Sequence, residues 1–200
     1  MTTIQHQTLI LLPIQQSHVT PLVAATEGNH ALWSFMFYGD LCDPQHMRLF
    51  VDRAIELRDE GTDLPFTVLH NSGRIIGSTR IRDICHKHRK CEIGATWFSS
   101  SMQRTGANLV SKYLLLKHAF ETLGMLRVQF KTDIRNNVSR KSLERLGAIQ
   151  EGILRQSAVM PDGVIRDTVI YSILSGEWLD VKENIERRLA RHSLPMEVAA

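Results

Sequence analysis

The stretch EIGATWFSSSMQRTGANLV, residues 92–110, is the most informative part of the chain for its fold. It joins an apolar strand to the most strongly patterned helix of the chain through a turn that closes on Gly106. A helix that begins after such a turn leaves its first backbone N–H groups unpaired, with the positive end of the helix dipole behind them. Such a helix start binds phosphate, but many turns of this kind carry a glycine for steric reasons alone. Both interpretations stay open, and a Walker A loop is excluded because no Gly-Lys-Ser/Thr follows.

Two residues of the turn favour an anion. Gly106 allows the backbone to approach a ligand closely, and Arg104 can add a charge-assisted hydrogen bond. In the helix that follows, an apolar stripe occupies positions three and four apart, and Lys112 and Lys117 lie away from it. The stripe consists of Leu109, Tyr113, Leu116, Phe120 and Leu123.

Hydrophobic periodicity on both sides of this stretch indicates one α+β domain over residues 1–200. The predicted elements, in chain order, are a strand at 8–14, two short helices within 18–36, a helix at 44–61, strands at 65–70, 74–84 and 92–98, the long helix to 123, a strand at 127–134, a helix at 139–147 with Ser139 as N-cap, strands at 148–160 and 164–174, and an amphipathic helix at about 177–192. The three central strands form an antiparallel meander.

Composition sets broad limits on function. The 200 residues carry a net charge of +3, with basic and acidic residues mixed along the chain, which suits an anionic small ligand better than nucleic acid. No apolar run is long enough to span a membrane, and the first residues lack the features of a secretory signal. We therefore expect a cytoplasmic protein without membrane association, in which the three cysteines are reduced.

The segment CHKHRKC, residues 85–91, brings two cysteines and two histidines together and raises the possibility of a zinc-binding interaction domain. No second ligand pair is evident, since Cys42, His70 and His118 are lone residues in the sequence, and the basic residues of the segment disfavour a cation. The segment also lies about 20 Å or more from the turn at Gly106, at the opposite end of a strand. We therefore predict a solvated basic hairpin loop and no metal site.

The chain resembles the GNAT superfamily of acetyl-CoA-dependent N-acetyltransferases, and within it the RimJ/RimL-like branch that acetylates ribosomal-protein N-termini. The resemblance rests on EIGATWF, on QRTGAN in place of the family's Gln/Arg-x-x-Gly-x-Gly/Ala loop, on Asn136-x-x-Ser139, on LERLGA-x-x-EG and on PDGVIRDTVIYSIL. It implies a three-layer α/β/α fold around a mixed, mostly antiparallel sheet of about seven strands. A splayed parallel pair of strands in that sheet forms the cofactor wedge.

The resemblance also implies how acetyl-CoA, the cosubstrate, is bound without a metal. Its pyrophosphate would lie on the backbone of Gln103, Arg104, Thr105, Gly106, Ala107 and Asn108, and its pantetheine arm would pair with the backbone near Trp97 and Phe98. Asn136 would hold a pantetheine amide, although a turn residue is an equal alternative. Asn108 departs from the family's Gly or Ala, but asparagine tolerates a left-handed or capping conformation, so we expect the loop to persist.

The implied reaction is direct attack of a neutral primary amine on the thioester in a ternary complex. Glu92 is the candidate general base, acting through a water, and the alternative is a structural carboxylate. Backbone N–H groups near Phe98 would bind the oxyanion, and Ser139 would donate to the leaving thiolate, a role compatible with an N-cap. Tyr171 is an alternative acid, although a tyrosine within VIYSIL is more often part of a core.

The acceptor side is less defined. Trp33, Phe37 and Tyr38 lie in the helical insert that forms the acceptor wall in the family, and Arg80 and Arg82 lie on a strand opposite and would suit an acidic acceptor. Packing roles for these side chains are the alternative. The acceptor is a protein N-terminus, an amino acid or a small amine, and the rival to an enzyme is a silent CoA-binding module on the same fold. The last helix is a possible homodimer contact.

Overall fold

The computed structural model describes residues 3–191. The predicted end of the last helix at residue 192 and both ends of the predicted domain, 1–200, fall outside the described residues. The strands are β1 (Ile4–Gln5), β2 (Leu9–Pro13), β3 (Leu64–His70), β4 (Ile75–Cys85), β5 (Lys90–Phe98), β6 (Arg127–Asp133), β7 (Ile149–Val159) and β8 (Ile165–Leu174). The helices are α1 (Val19–Ala25), α2 (Pro44–Asp59), α3 (Ala107–Lys117), α4 (Asn137–Leu146) and α5 (Trp178–Arg191).

The eight strands form one sheet in the order β1-β2-β3-β4-β5-β6-β8-β7. The prediction of a mixed, mostly antiparallel sheet is confirmed, because β5 and β6 form its parallel pair. The predicted number of about seven strands is one too low within the described part of the chain. The missed strand, β1, has two residues and pairs with β2 through Ile4 and Leu11, so it is too short to show a hydrophobic period.

The parallel pair separates soon after it begins. The paired positions run from Lys90 opposite Arg127 to Glu92 opposite Gln129, and no further β5–β6 pair follows among the described residues. We call the gap between the rest of β5 and the rest of β6 the wedge. A bulge shapes its β5 side, since the β4–β5 register shifts near Ala95, which has a left-handed φ of 49°.

Helices cover both faces of the sheet, which confirms the three-layer prediction. One core cluster contains α1, α2 and Trp97, and the other contains α3, α4, α5 and Phe98. The consecutive residues Trp97 and Phe98 therefore point to opposite faces at the mouth of the wedge. The apolar side of α5 packs on α3 and on the turn that follows it: the Trp178 ring lies 6.5 Å from that of Tyr113 and stacks on Phe120 at 5.3 Å between ring centroids.

Two helix starts differ from the prediction. Asn136, and not Ser139, is the N-cap of α4, because its Oδ1 accepts a hydrogen bond from the Ser139 backbone N–H at 3.0 Å. The left-handed positions of the turn before α3 are Arg104 (φ 64°) and Gly106 (φ 99°), whereas Asn108 lies inside the helix. The long helix also ends as a π-helical turn over His118–Thr122 rather than as regular α-helix.

Candidate active site

The turn before α3 presents backbone N–H groups at the wide end of the wedge. Gly106 is the N-cap of α3, and it carries no side chain that could cap the helix. Left-handed residues such as Arg104 and Gly106 also occur in the backbone concavities that bind anions. Thr105 holds the turn from within, since its hydroxyl donates to the Met102 carbonyl at 2.8 Å. Within the turn, the Gln103 N–H donates to the Ser100 carbonyl at 3.2 Å and the Ala107 N–H to Thr105 Oγ1 at 3.5 Å, so a phosphate group would use the remaining N–H groups.

Glu92 lies where β5 and β6 separate. Its carboxylate is almost fully buried, and Oε2 lies 2.8 Å from Lys131 Nζ and 3.1 Å from Gln129 Nε2. Oε1 points toward Gly94 and lies 4.0 Å from Arg82 Nε. One carboxylate oxygen is thus committed to β6, while the other faces the side of the sheet covered by α1 and α2.

Asn136 and Ser139 lie together at the start of α4, directly after β6. The cap uses the backbone of Ser139, and its hydroxyl makes no hydrogen bond within the part of the chain that the structure describes. Tyr171, the alternative acid, is completely buried, and its hydroxyl donates to Glu144 Oε1 at 3.0 Å. The structure thus brings Ser139, but not the Tyr171 hydroxyl, to the partly exposed N-terminus of α4.

Lys112 is the residue at the wedge that sequence reasoning missed. It lies away from the predicted apolar stripe of α3, yet it is only 8% exposed, and its Nζ donates to Thr96 Oγ1 at 3.0 Å. The same nitrogen lies 5.5 Å from the centroid of the Phe130 ring on β6. The predicted stripe faces α5 in large part, because Tyr113 and Phe120 pack on Trp178. The side of α3 that packs on the sheet is therefore not the predicted stripe, and it includes Lys112.

The predicted acceptor residues do not form one surface. Trp33 is buried and meets Trp97 edge to face at 5.1 Å between centroids, and Trp97 Nε1 has no hydrogen-bond partner among residues 3–191. Tyr38 and Arg80 do line one cavity of about 180 Å³, together with Phe50. Arg80 is buried, however, and its guanidinium pairs with Asp63 at 3.1 Å.

A second arginine, Arg166 on β8, extends this side of the site and had no sequence signal. It is buried, it donates to the Phe35 carbonyl at 3.3 Å, and its guanidinium lies 4.7 Å from the centroid of the exposed Phe37 ring. Through these contacts, the insert between α1 and α2 reaches across the wedge to β8.

Two charged groups on this side have shifted pKa values. Burial lowers the pKa of Arg166 below its ordinary value. Hydrogen bonds from Arg135 lower the pKa of the nearby Asp133 carboxyl.

The segment of residues 85–91 forms the β4–β5 hairpin, as predicted. Cys91 points into the core and burial raises its pKa to about 12, so its thiol is unsuited to bind a metal. Arg89 anchors the loop, since its Nε donates to the Gly124 carbonyl at 2.8 Å. Sequence reasoning was wrong to treat Cys42 as isolated, because the fold of the insert brings its sulfur within 4.8 Å of ligand atoms of His30 and Asp40.

Three comparisons place these features among known proteins. A region of 106 residues is 31% identical to YdaF of Bacillus subtilis (strain 168), which is provisionally assigned as a ribosomal N-acetyltransferase, and it covers 53% of this chain and 57% of that protein. The chain thus spans little more than half the length of the curated relatives it matches. A provisionally assigned acetyltransferase from T. thermophilus is 31% identical, with a TM-score of 0.84 over 94% of this chain and 97% of that one.

The fold also matches the microcin C7 self-immunity acetyltransferase MccE, solved with acetyl-CoA and AMP. The TM-score is 0.76, the identity is 19%, and the match covers 84% of this chain and 93% of that one. The relative YdaF supports the resemblance to the RimJ/RimL-like branch. The family model described as "Acetyltransferase (GNAT) domain" matches residues 8–149, well over half of the chain. The chain therefore belongs to the GNAT acetyltransferase family.

Proposed function

We propose that the protein is an acetyl-CoA-dependent N-acetyltransferase that acts on a primary amine by direct attack in a ternary complex. One observation carries the proposal: the β5–β6 pair separates after Glu92, and the turn at Gly106, a helix start without a side-chain cap, lies at the wide end of the gap. A long ligand with a phosphate group at one end and an uncharged arm fits this arrangement. The acetyl-CoA in the MccE structure, which shares the fold, agrees with that ligand.

In this proposal the backbone of residues 103–108 holds the pyrophosphate and Asn136 holds a pantetheine amide. The edges of β5 near Trp97 and Phe98 are unpaired toward β6, so their backbone groups are free to bind the arm and the oxyanion. Trp97 also brings a buried indole N–H without a partner among the described residues. Ser139 donates a hydrogen bond from the N-terminus of α4 to the leaving sulfur.

Glu92 is the proposed general base, and it acts through a water from its Oε1 side, because Oε2 is held by Lys131 and Gln129. We expect Glu92→Gln to lower kcat by about 100-fold or more, the usual size of a lost general base, with little change in the KM for acetyl-CoA. Tight ion pairing to Lys131 supports the structural alternative instead. A kcat within twofold of wild type would establish that alternative.

The acceptor reaches the wedge from the side covered by α1 and α2, where Tyr38, Arg80 and the Phe37–Arg166 contact lie. Arginines on this side suit an acceptor that carries a carboxylate. Because Arg80 is paired to Asp63, the exposed edge of the site near Phe37 contributes more to recognition than Arg80 does. The proposed acceptors are a protein N-terminus, an amino acid or a small amine, and those that carry a carboxylate suit the arginines best.

The proposal is tested by release of CoA thiol from acetyl-CoA in the presence of peptides, free amino acids, polyamines and aminoglycosides. Gly106→Glu is expected to abolish CoA binding, because a carboxylate would repel the pyrophosphate. Gly73→Glu is the matched control, since Gly73 also has a left-handed φ but lies in the β3–β4 turn, where nothing lies within 4 Å of an added β-carbon. Unchanged CoA binding in Gly106→Glu would refute the loop assignment. CoA binding without turnover would favour the silent module.

We also propose where the protein lies in the cell and which surface a homodimer would use. No helix within residues 3–191 is long and apolar enough to cross a bilayer. We propose that the protein is cytoplasmic and that it binds no metal, no nucleic acid and no membrane.

A homodimer would not use the apolar side of α5, because that side packs on α3. The edge strand β7, in contrast, exposes Ile153, Leu154 and Val159. The solution mass of wild type and of Leu154→Lys tests this contact.

A further inference from the structure

Lys112 occupies a position that packing alone does not explain. Its side chain crosses from α3 to the underside of the wedge, where Nζ lies 3.0 Å from Thr96 Oγ1 on β5 and 5.5 Å from the Phe130 ring centroid on β6. These two strands are the ones that have separated at this level. The amine therefore lies between them, at the place where a ligand of the wedge would pass.

The amine has no counter-charge of its own. Lys112 forms no ion pair with any of the described residues, and the carboxylate that acts on it, Glu92, is held by Lys131 and Gln129. Burying an unpaired amine is unfavourable, so an apolar residue would stabilise this side of α3 more than lysine does. A buried, perturbed amine in a cleft is a candidate for a functional role.

The hydrogen bonds around Lys112 leave capacity for a ligand. The Thr96 hydroxyl donates to the Gly94 carbonyl at 3.2 Å and lies 2.8 Å from Thr79 Oγ1, so its oxygen accepts from Lys112. An ammonium group carries three N–H donors and a neutral amine carries two. At least one N–H of Lys112 therefore has no acceptor among residues 3–191 and is available to a group in the wedge.

We propose that Lys112 contacts the sulfur of the cosubstrate and donates the proton that converts the leaving thiolate into a thiol. This inference rests on the proposed acetyl transfer. The acceptor nitrogen forms a bond to the carbonyl carbon, the carbon–sulfur bond breaks, and its electron pair goes to sulfur. Lys112 gives one proton to that sulfur and becomes neutral, and the proton lost by the acceptor amine restores its charge through solvent.

The pKa of Lys112 agrees with its role as a proton donor to the sulfur. Burial lowers the pKa of Lys112 to about 7, and the negative charge of Glu92 opposes the effect. A thiol has a pKa of about 8.5, so transfer from this ammonium to a thiolate is favourable. The uncharged Thr79 on β4 contacts the Thr96 hydroxyl that binds this group, the Phe130 ring on β6 lies beside it, and the charge of Glu92 on β5 acts on it. Ser139 orients the sulfur, and Lys112 supplies the proton.

Kinetics of Lys112→Met and Lys112→Arg test the role in turnover. Lys112→Met is expected to lower kcat about 100-fold, with the KM for acetyl-CoA changed less than threefold. In wild type, kcat should fall above about pH 7 as Lys112 loses its proton, and Lys112→Met should lose this fall. Lys112→Arg keeps a permanent charge but donates no proton, so it is expected to lower kcat and to lose the same fall. A Lys112→Met enzyme with kcat within twofold of wild type, or with the wild-type alkaline fall intact, would overturn the proposal.

A binding measurement keeps the inference separate from turnover. In wild-type protein with isotope-labelled lysines, the Lys112 signal is identified by its loss in Lys112→Arg, and its titration is followed by NMR. CoA is expected to change the chemical shift and the titration midpoint of Lys112, because its sulfur contacts the amine, whereas desulfo-CoA leaves both near the free values. Equal shifts with both ligands refute the sulfur contact. Failure of wild type to turn over any amine refutes the proposed function but not this contact.

Discussion

Gly77 and Trp97 approach so closely across β4 and β5 that a β-carbon on Gly77 would lie 2.1 Å from the Trp97 carbonyl oxygen. No real Cβ atom tolerates that distance, and the neighbour in this case is backbone rather than a movable side chain. Because residue 77 has no side chain, β5 can lie this close to β4 at the mouth of the wedge. We expect this contact to set the width of the wedge.

Gly77→Ala is expected to push β5 toward β6, to lower the free energy of unfolding by about 2 kcal/mol and to weaken CoA binding. Gly152→Ala is the matched control, because Gly152 also lies in a strand but has nothing within 4 Å of its added carbon. Urea unfolding and CoA titration measure both effects. Normal CoA affinity in a folded Gly77→Ala protein would show that the wedge does not depend on this contact.

Asn136→Ala and Ser139→Ala should separate stability from catalysis at the start of α4. The Asn136 side chain caps the helix, so its loss is expected to lower the free energy of unfolding by about 1 kcal/mol. The Ser139 hydroxyl takes no part in the cap, so Ser139→Ala should keep the stability within about 0.5 kcal/mol.

The same Ser139→Ala variant should lower kcat about tenfold, which corresponds to one hydrogen bond of roughly 1.4 kcal/mol to the leaving sulfur. Thermal unfolding and steady-state kinetics give the two readouts. A stability loss in Ser139→Ala with unchanged kcat would assign the residue to the helix alone.

Arg80→Met should destabilise the protein rather than change acceptor specificity. The substitution leaves the Asp63 carboxylate buried without its partner, which costs about 3 kcal/mol or more. The double variant Asp63→Asn/Arg80→Met removes the unpaired charge and is expected to recover most of that loss in urea unfolding. A stable Arg80→Met protein with a raised KM for the acceptor would instead support the predicted substrate contact.

Thiol chemistry should distinguish the three cysteines. Cys91 is buried, and burial raises its pKa to about 12, so we expect no reaction with a thiol reagent at pH 8 in the native state. Cys42 and Cys85 are partly exposed and should react. Native and urea-denatured protein are compared by counting labelled thiols in a mass spectrum. Rapid labelling of native Cys91 would contradict its place in the core.

The unfolding of wild type should depend on pH through Lys112. Its pKa is about 7 in the folded protein and 10.5 in an exposed lysine, so between these values the unfolded state binds more protons. The free energy of unfolding should therefore rise with pH from about 7, by roughly 1.4 kcal/mol per pH unit relative to Lys112→Met. Below pH 7 both states are protonated and the difference should be constant. Parallel profiles of the two proteins would contradict the buried position of Lys112.

Much of the fold follows from local signals. The alternation in residues 127–134, the turn signals at residues 71–73 and 161–163, and the first-turn Pro44 all predict elements that the structure contains. The turn at Gly106 is also predicted, because the need for a left-handed residue at a helix start is a local property. The N-cap of α4 was misassigned by three residues, since Asn136 and Ser139 both have side chains that can cap a helix.

The order of strands and helices along the chain, the helix start after Gly106 and the family could all be inferred from the chain alone, because each depends on short stretches of sequence. Long-range packing was needed to establish which side of α3 faces the sheet, which group pairs with Glu92, that Arg80 neutralises Asp63, and that Cys42 meets His30 and Asp40. These contacts join residues that no local pattern relates, and burial then sets whether each charge is paired or, as at Lys112, left available in the wedge.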